Sequence, residues 1–148
     1  MQASAPSACV ILIGNELLSG RTQDTNLCWL GAALNEAGVA CRRGHMIPDH
    51  TENIVACVNA ARDSYDYVFT TGGIGPTHDD ITANAIARAF GVPLTRNPEA
   101  ERRLRAHYPP ELCNEARLKM ADIPEGAGLI DNPVSAAPGF YLENVFVL

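Results

Sequence analysis

The sequence has no basic stripe and no excess of positive charge to offer a nucleic acid. Its 148 residues include 11 lysines and arginines against 17 aspartates and glutamates, for a formal net charge of −6 at pH 7. Arg102, Arg103 and Arg105 form a local cluster, but Glu99 and Glu101 fall in the same helical pattern, which is typical of a solvated helix face. The composition therefore argues against nucleic-acid binding.

Cysteine pairs and long apolar segments are also missing. The five cysteines are odd in number, and no two are spaced as in a zinc knuckle or a Cys-x-x-Cys pair. Four of them lie in apolar patterns, where free cysteine behaves as a small hydrophobic residue, so we expect a reducing cytoplasm. The apolar run at residues 9–13 is too short for a signal peptide or a membrane span, so we expect no membrane partner.

Two common nucleotide-binding fingerprints are absent. Gly73-x-Gly75 is followed by Pro76, Thr77 and His78, so the third glycine of the dinucleotide-binding fingerprint is missing. No Gly-Lys-Ser/Thr is present either. These absences exclude a dinucleotide-binding Rossmann motif and a P-loop.

Strand-like apolar runs alternate with helical apolar spacing over the first 90 residues. Strands are expected at 8–13, 39–47 and 66–70, and helices near 27–37, 54–61 and 81–90. A polar loop follows the first strand, and Asp24 or Thr25 can cap the first helix and Thr51 the second. This order predicts an α/β fold with a parallel sheet and right-handed crossovers, in which the more polar second strand lies nearer an edge.

The pattern changes after residue 96. Asn97 is expected to cap a charged helix that has Pro98 at its first position, and a second short helix is expected at residues 111–120. Short strands follow at residues 129–130, 139–142 and 145–148, with Glu143-Asn144 as a hairpin turn. The chain stops on an apolar run, so we expect residues 1–148 to be a single domain truncated at its C-terminal end.

A glycine-rich stretch, residues 70–82, joins the third strand to a helix. Gly72, Gly73 and Gly75 let the backbone approach a ligand, and the helix N-terminus offers unpaired N–H groups and partial positive charge to a phosphate. Asp79 and Asp80 place negative charge where a phosphate would bind. They are therefore either helix caps or ligands for a divalent cation that bridges to phosphate oxygens.

Asp49 occupies a similar position after the second strand and before a helix. Ligands of open α/β sheets bind at this edge, so Asp49 is a candidate functional residue, with a turn or capping role as the alternative. The single tryptophan, Trp29, is expected to serve packing rather than ligand binding.

Several of these motifs together resemble one known family. The matching pieces are Ile-Gly-Asn-Glu-Leu-Leu-Ser-Gly-Arg at residues 13–21, Asp-Thr-Asn at 24–26, Thr-Gly-Gly-Ile-Gly-Pro-Thr-His-Asp-Asp-Ile-Thr at 71–82, Asn132, and Ala-Pro-Gly-Phe at 137–140. They resemble the molybdopterin-binding domain family of molybdenum cofactor biosynthesis, and most of all the branch that forms the N-terminal domain of competence/damage-inducible protein A (CinA).

The resemblance implies a three-layer α/β/α fold with a mixed, mainly parallel sheet, which often assembles as a homo-oligomer, a trimer or dimer. In biosynthetic members, aspartates in the positions of Asp49 and Asp80 are implicated in adenylyl transfer from ATP to molybdopterin. In the CinA-like branch the domain is associated with metal-dependent hydrolysis of nucleotide pyrophosphates such as ADP-ribose. The sequence departs from the family at Asn15, where an acidic residue is usual, and in ending before the loop that completes the site.

The residues that match the family motif suggest a division of roles. Asp49 and Asp80 are the expected catalytic residues, and Asp80 with Asp79 is expected to hold Mg²⁺ or Co²⁺. The pterin- or nucleotide-binding residues are expected to be Gly14, Glu16, Thr71, Gly72, Gly73, Gly75, Pro76 and Thr77. Nucleotide pyrophosphate hydrolysis is the leading hypothesis, ahead of molybdopterin adenylyl transfer and of pterin or nucleotide binding without catalysis.

Overall fold

Strand β1, Ser7–Ile13, lies inside the main sheet, and all of its residues after Ser7 are buried. The structure is a computed structural model that describes residues 4–148. The burial of consecutive residues follows from a parallel strand with helices on both faces, because both sets of alternating side chains then need to be apolar. The other strands are β2 (Ala40–Ile47), β3 (Tyr67–Thr71), β4 (Leu94–Arg96), β5 (Asp122–Pro124), β6 (Gly128–Ile130), β7 (Gly139–Leu142) and β8 (Val145–Val147).

The main sheet is mixed and has the strand order β2-β1-β3-β8-β7-β6. The pairs β1–β2, β1–β3 and β3–β8 are parallel, whereas β7 pairs antiparallel with both β6 and β8. The predicted hairpin turn lies between β7 and β8, where Glu143 has a φ of 52°. The prediction that the polar second strand lies at an edge is confirmed.

Helices pack on both faces of this sheet around β1. They are α1 (Asn15–Leu18), α2 (Asn26–Glu36), α3 (Thr51–Ser64), α4 (Thr82–Phe90), α5 (Pro98–His107) and α6 (Glu115–Leu118), and a 3₁₀ turn follows at Lys119–Ala121. Cys9, Ile11 and Ile13 of β1 pack with α3 and α4, while Val10 and Leu12 pack against α2 on the opposite face. This alternation along one strand produces the three α/β/α layers.

Local signals at two helix ends are confirmed. Asn97 caps α5, because its Oδ1 accepts a hydrogen bond of 2.9 Å from Ala100 N, and Pro98 is the first helical residue. Gly91 ends α4 with a φ of 67°, in the left-handed region that glycine enters without strain. Asp24 rather than Thr25 supplies the side-chain cap of α2, since its carboxylate accepts from the N–H groups of residues 26 and 27.

Other local predictions were wrong. Thr51 is the first residue of α3 and makes no capping bond. The polar segment after β1 begins with the short helix α1 instead of a loop, and the helix expected at 111–120 is limited to residues 115–118 plus the 3₁₀ turn. Asn114 fixes the start of α6 at Glu115, because its Oδ1 caps the helix by accepting a 3.0 Å hydrogen bond from Arg117 N.

Two features escaped the sequence patterns altogether. Strands β4 and β5 form a separate antiparallel pair of three residues each, too short for a visible alternation. Trp29 is not a packing residue, since 69% of its surface is exposed; Leu30 and Leu34 form the buried stripe of α2 instead.

Within residues 4–148, no helix combines the length and the apolar character needed to cross a membrane. All five cysteines lie in this range and none forms a disulfide.

Candidate functional site

The candidate site lies where β1, β2 and β3 end side by side. Gly14 N, just after β1, donates a 3.1 Å hydrogen bond to the carbonyl of Ile47 at the end of β2. Asp49 follows β2, and its N–H donates to Asn15 Oδ1 at 3.2 Å. The predicted residues from the three loops therefore meet at the carboxyl edge of the sheet, as parallel strand order requires.

The glycine-rich loop, residues 72–81, packs closely on this edge. Gly72 and Gly73 have φ values of 97° and 73°, in the left-handed region. A Cβ on Gly72 would collide with the carbonyl oxygen of Ile13, and one on Gly73 would collide with the Thr82 hydroxyl and lie 3.6 Å from Asp49 Oδ1. These glycines therefore let other protein groups, among them the Asp49 carboxylate, approach the loop backbone.

Asp80 is held inside the loop rather than at the helix end. Its Oδ2 accepts hydrogen bonds of 2.8 Å from both the N–H and the hydroxyl of Thr77. A Cβ on Gly75 would lie 2.8 Å from the same oxygen, so Gly75 makes room for the carboxylate. Of the two roles left open for Asp80, helix capping is excluded, since Ile81 occupies the N-cap of α4 and makes no side-chain capping bond. The Thr77 hydroxyl donates to Asp80.

Asp79 does not cap α4 either. Its side chain is 77% exposed, and its Oδ1 lies 3.3 Å from Nε2 of His78. The loop is instead tied to α4 by Thr82, which is fully buried and whose hydroxyl donates to Gly72 O at 2.8 Å. Thr82 N also donates to Gly73 O at 3.0 Å.

Asp49 combines a buried carboxylate oxygen with neighbouring acidic side chains. Its Oδ1 is buried and has no hydrogen-bond partner within residues 4–148. Burial raises the pKa of this carboxyl above its ordinary value, and the nearby charges of Asp80, Glu16 and Asp79 raise the pKa further. A cation or a shared proton at this position would offset both effects.

The carboxylates fit a divalent cation that keeps much of its water. In the part of the chain that the structure describes, no group of three or more His, Cys, Asp or Glu residues is arranged as a metal site. Asp49 and Asp80 are nevertheless hard oxygen donors whose charges interact, and one oxygen of Asp49 is buried without a hydrogen-bond partner among the described residues. Mg²⁺ typically needs only one or two protein carboxylates, since waters and phosphate oxygens complete its shell.

The predicted binding residues are divided between two sides of the loop. On the α4 side, Gly73, Gly75 and Asp80 line a cavity of about 90 Å³ together with Asn84 and Lys119.

On the α2 side, Glu16, Thr71 and Gly72 line a cavity of about 160 Å³. Thr71 and Gly72 also border a cavity of about 240 Å³ beside the exposed Trp29. Residues 71–73 therefore separate the α4-side cavity from the two α2-side cavities. Pro76 and Thr77, further along the loop, are exposed.

Glu16 lies over Gly14. A Cβ on Gly14 would be 2.7 Å from Glu16 Cδ, so the absence of a side chain there allows the carboxylate to lie close to the end of β1. Its charge contributes to the raised pKa of Asp49.

Sequence reasoning missed three residues of the site. Asn15 and Thr82 lie within the motifs that were singled out, but their contacts to Asp49 and to the loop backbone depend on tertiary structure. Lys119, the only lysine in the sequence, had no motif around it.

Over residues 9–148 the chain matches the family model described as "Probable molybdopterin binding domain". The chain belongs to this molybdopterin-binding domain family.

Curated relatives of this molybdopterin-binding domain are longer proteins. A protein of Aeropyrum pernix is 43% identical over 140 residues, which are 93% of this chain and 52% of that protein. A CinA-like protein of Shewanella woodyi is 39% identical over 136 residues, 90% of this chain and 32% of that protein. The chain thus spans about half or less of the length of these relatives.

Solved structures confirm the predicted α/β/α fold. The protein CinA from Thermoplasma acidophilum is 35% identical and superposes with a TM-score of 0.91, over 99% of this chain and 89% of that one. MoaB, a molybdopterin biosynthesis enzyme of Thermus thermophilus, is 15% identical with a TM-score of 0.58, over 97% of this chain and 80% of that one, and shows the shared fold alone.

Proposed function

We propose that this molybdopterin-binding domain binds a pterin phosphate or an adenine nucleotide and hydrolyses a nucleotide pyrophosphate such as ADP-ribose with a divalent metal. The observation that carries the proposal is the Asp49 carboxylate, which lies against the glycine-rich loop with a buried, unpartnered oxygen and a raised pKa. A carboxyl in a cleft whose pKa is shifted by burial and by specific neighbouring charges is a candidate functional group. The similarity to CinA-like proteins supports this branch of the family over others.

The glycine-rich loop is the proposed phosphate-binding element. Its internal hydrogen bonds use the N–H groups of Thr77, Asp80 and Thr82. Among the described residues, none of these bonds uses the N–H of Gly73, Ile74 or Gly75. Consecutive backbone N–H groups before a helix N-terminus are suitable donors for phosphate oxygens.

Asp80 would hold the metal, with Asp79 as a second carboxylate available to it, which leaves Asp49 Oδ1 free to accept a proton. When bound, the metal would neutralise charge on the phosphoanhydride oxygens. The two hydrogen bonds that Asp80 accepts from Thr77 fix the orientation of its carboxylate for this role.

Asp49 is the proposed proton acceptor in hydrolysis. A water attacks one phosphorus of ADP-ribose and gives a proton to Asp49 Oδ1, and the bond from that phosphorus to the bridging oxygen breaks. The products are AMP and ribose 5-phosphate. Asp49 suits this proton transfer because its Oδ1 is buried against the loop and has no hydrogen-bond partner among residues 4–148, so the oxygen is available as an acceptor.

The test is to incubate the purified protein with ADP-ribose and Mg²⁺ or Co²⁺ and to separate the products by chromatography. Metal-dependent AMP would support hydrolysis, and EDTA should abolish it. A matched reaction with ATP and molybdopterin tests adenylyl transfer, the second candidate, which is supported by a family description that names molybdopterin as the ligand. Saturable binding of either ligand without product would favour a binding module and contradict the proposal.

We also infer self-association through the exposed sheet face over β3, β8 and β7. Phe146 stacks on Phe69 at 5.2 Å and on Tyr141 at 5.7 Å between ring centroids. Tyr141 is 44% exposed and Tyr67 37% exposed, so this aromatic row is open to a second copy. Sedimentation should give a trimer or dimer that Tyr141→Lys dissociates; a monomeric wild-type protein would refute the inference.

A further inference from the structure

Lys119 lies in the 3₁₀ turn after α6 and lines the α4-side cavity together with the glycine-rich loop. The next two residues, Met120 and Ala121, are buried against Ala100 and Leu104 of α5. Ala121 O also accepts a 2.8 Å hydrogen bond from Asn97 N. The backbone that carries Lys119 is therefore fixed, and its side chain extends from a rigid support toward the loop.

The ammonium group of Lys119 contacts the loop that presents Asp80. Its Nζ donates to Thr77 O at 3.2 Å and to Asp80 O at 3.3 Å. An ammonium group has three N–H donors, so one remains for another acceptor. Within residues 4–148, no carboxylate lies within ion-pair distance of Nζ, in contrast to most arginines of the chain.

The surroundings of Lys119 make an anionic ligand the natural partner for this remaining donor. Among residues 4–148, Lys119 is the only positively charged residue that lines the cavity, and Asp80 and Asp122 are its acidic lining residues. Arg96 already pairs with Asp122. The cavity also contains Gly73, Ile74 and Gly75, whose N–H groups are the proposed phosphate donors.

We propose that Lys119 is a substrate-binding residue, whose third N–H and positive charge hold a phosphate oxygen of the ligand against the glycine-rich loop beside Asp80. The proposal rests on the proposed function for the identity of the ligand, a nucleotide or pterin phosphate. It adds the residue that counters the negative charge of the phosphate in a cavity whose other charged lining residues, Asp80 and Asp122, are acidic. A compact ammonium suits this role as a point charge.

Because Lys119 is the only lysine, labelling the full chain with lysine enriched in ¹³C at Cε gives a single assigned resonance. Inorganic pyrophosphate and ADP-ribose should each shift this resonance saturably, whereas adenosine, which has no phosphate, should not. If neither anion shifts it at saturation, or if the wild-type protein binds neither, the proposal is overturned. The readout requires no turnover, so hydrolysis can fail while anion binding by Lys119 is still confirmed.

Variants separate ligand binding from a purely structural role in holding the loop. Lys119→Met should weaken binding of pyrophosphate and ADP-ribose by about 10- to 30-fold, as expected for one hydrogen bond to a charged group, while Lys119→Arg restores most of the affinity. Any measurable binding of adenosine should stay unchanged. Wild-type anion affinity in Lys119→Met would overturn the proposal, and so would a loss that is equal for adenosine and the anions.

Discussion

Replacing Asp49 with asparagine should stabilise the folded protein at pH 7 while removing activity. The carboxylate is partly buried, one oxygen has no partner, and Asp80, Glu16 and Asp79 repel it. An amide of the same shape removes the charge and can donate an N–H to a neighbouring carboxylate. An unsatisfied buried polar group costs about 1–3 kcal/mol, and since Asp49 is only partly buried we expect a gain of about 1 kcal/mol. For a domain of this size that is an increase in Tm of roughly 2–4 °C.

The gain in stability of Asp49→Asn over the wild-type protein should increase with pH. The folded-state pKa of Asp49 is raised above its ordinary value of 3.8. The charge penalty is therefore absent well below pH 3.8, grows as pH rises toward the raised pKa, and is complete above it. The advantage of Asp49→Asn over the wild type should accordingly be largest at neutral pH and should shrink in acid.

Urea denaturation of both proteins at pH 7 and at acid pH measures this difference. Asp66→Asn is a matched control with the opposite expectation. Asp66 accepts hydrogen bonds of 2.7 and 2.8 Å from Ser7 N and Oγ, which lower its pKa, so its replacement should destabilise the protein at pH 7. A destabilised Asp49→Asn protein at pH 7, or a stability difference independent of pH, would refute the reasoning about the site charge.

Three further substitutions test the roles of the loops. Asp80→Asn should lower kcat for ADP-ribose by about 100-fold or more with little change in Tm. Asp79 is exposed, so Asp79→Asn should retain most of the activity. Equal losses of kcat in the two variants would contradict the central role given to Asp80. Gly14→Ala should keep the fold but displace the Glu16 carboxylate, so its loss of kcat should match that of Glu16→Gln. Wild-type kinetics in both variants would show that this carboxylate is not needed for activity. Gly72→Ala combines a φ of 97° with a collision against a backbone carbonyl, so urea denaturation should show a loss of about 2 kcal/mol or more, and a stable variant would disprove the packing argument.

The sequence was sufficient to predict the main sheet and the edge at which the site lies. The continuous apolar run at residues 8–13, which the structure shows to be buried, and the alternation of strand and helix patterns allow few topologies. Parallel strands then bring their carboxyl ends together at one edge of the sheet. Asp49 and the glycine-rich loop could therefore be placed near each other before the structure was known. The family resemblance, rather than periodicity, supplied the mixed sheet.

What could not be predicted depended on side-chain contacts or on very short elements. From the sequence Asp80 could be a helix cap or a cation ligand, and the structure shows that Thr77, three residues earlier, holds it inside the loop. Trp29 adjoins the buried stripe of α2 but lies one residue off it. Lys119 lies among charged residues that are typical of a surface helix, and only tertiary structure brings it to the loop.

The most direct test of the central claim is the formation of AMP from ADP-ribose by the wild-type protein and by Asp80→Asn, each with Mg²⁺ or Co²⁺ and with EDTA. We expect AMP and ribose 5-phosphate from the wild type only when metal is present, and none above background from the variant. Absence of AMP from the wild-type protein, or full activity in Asp80→Asn, would contradict the account.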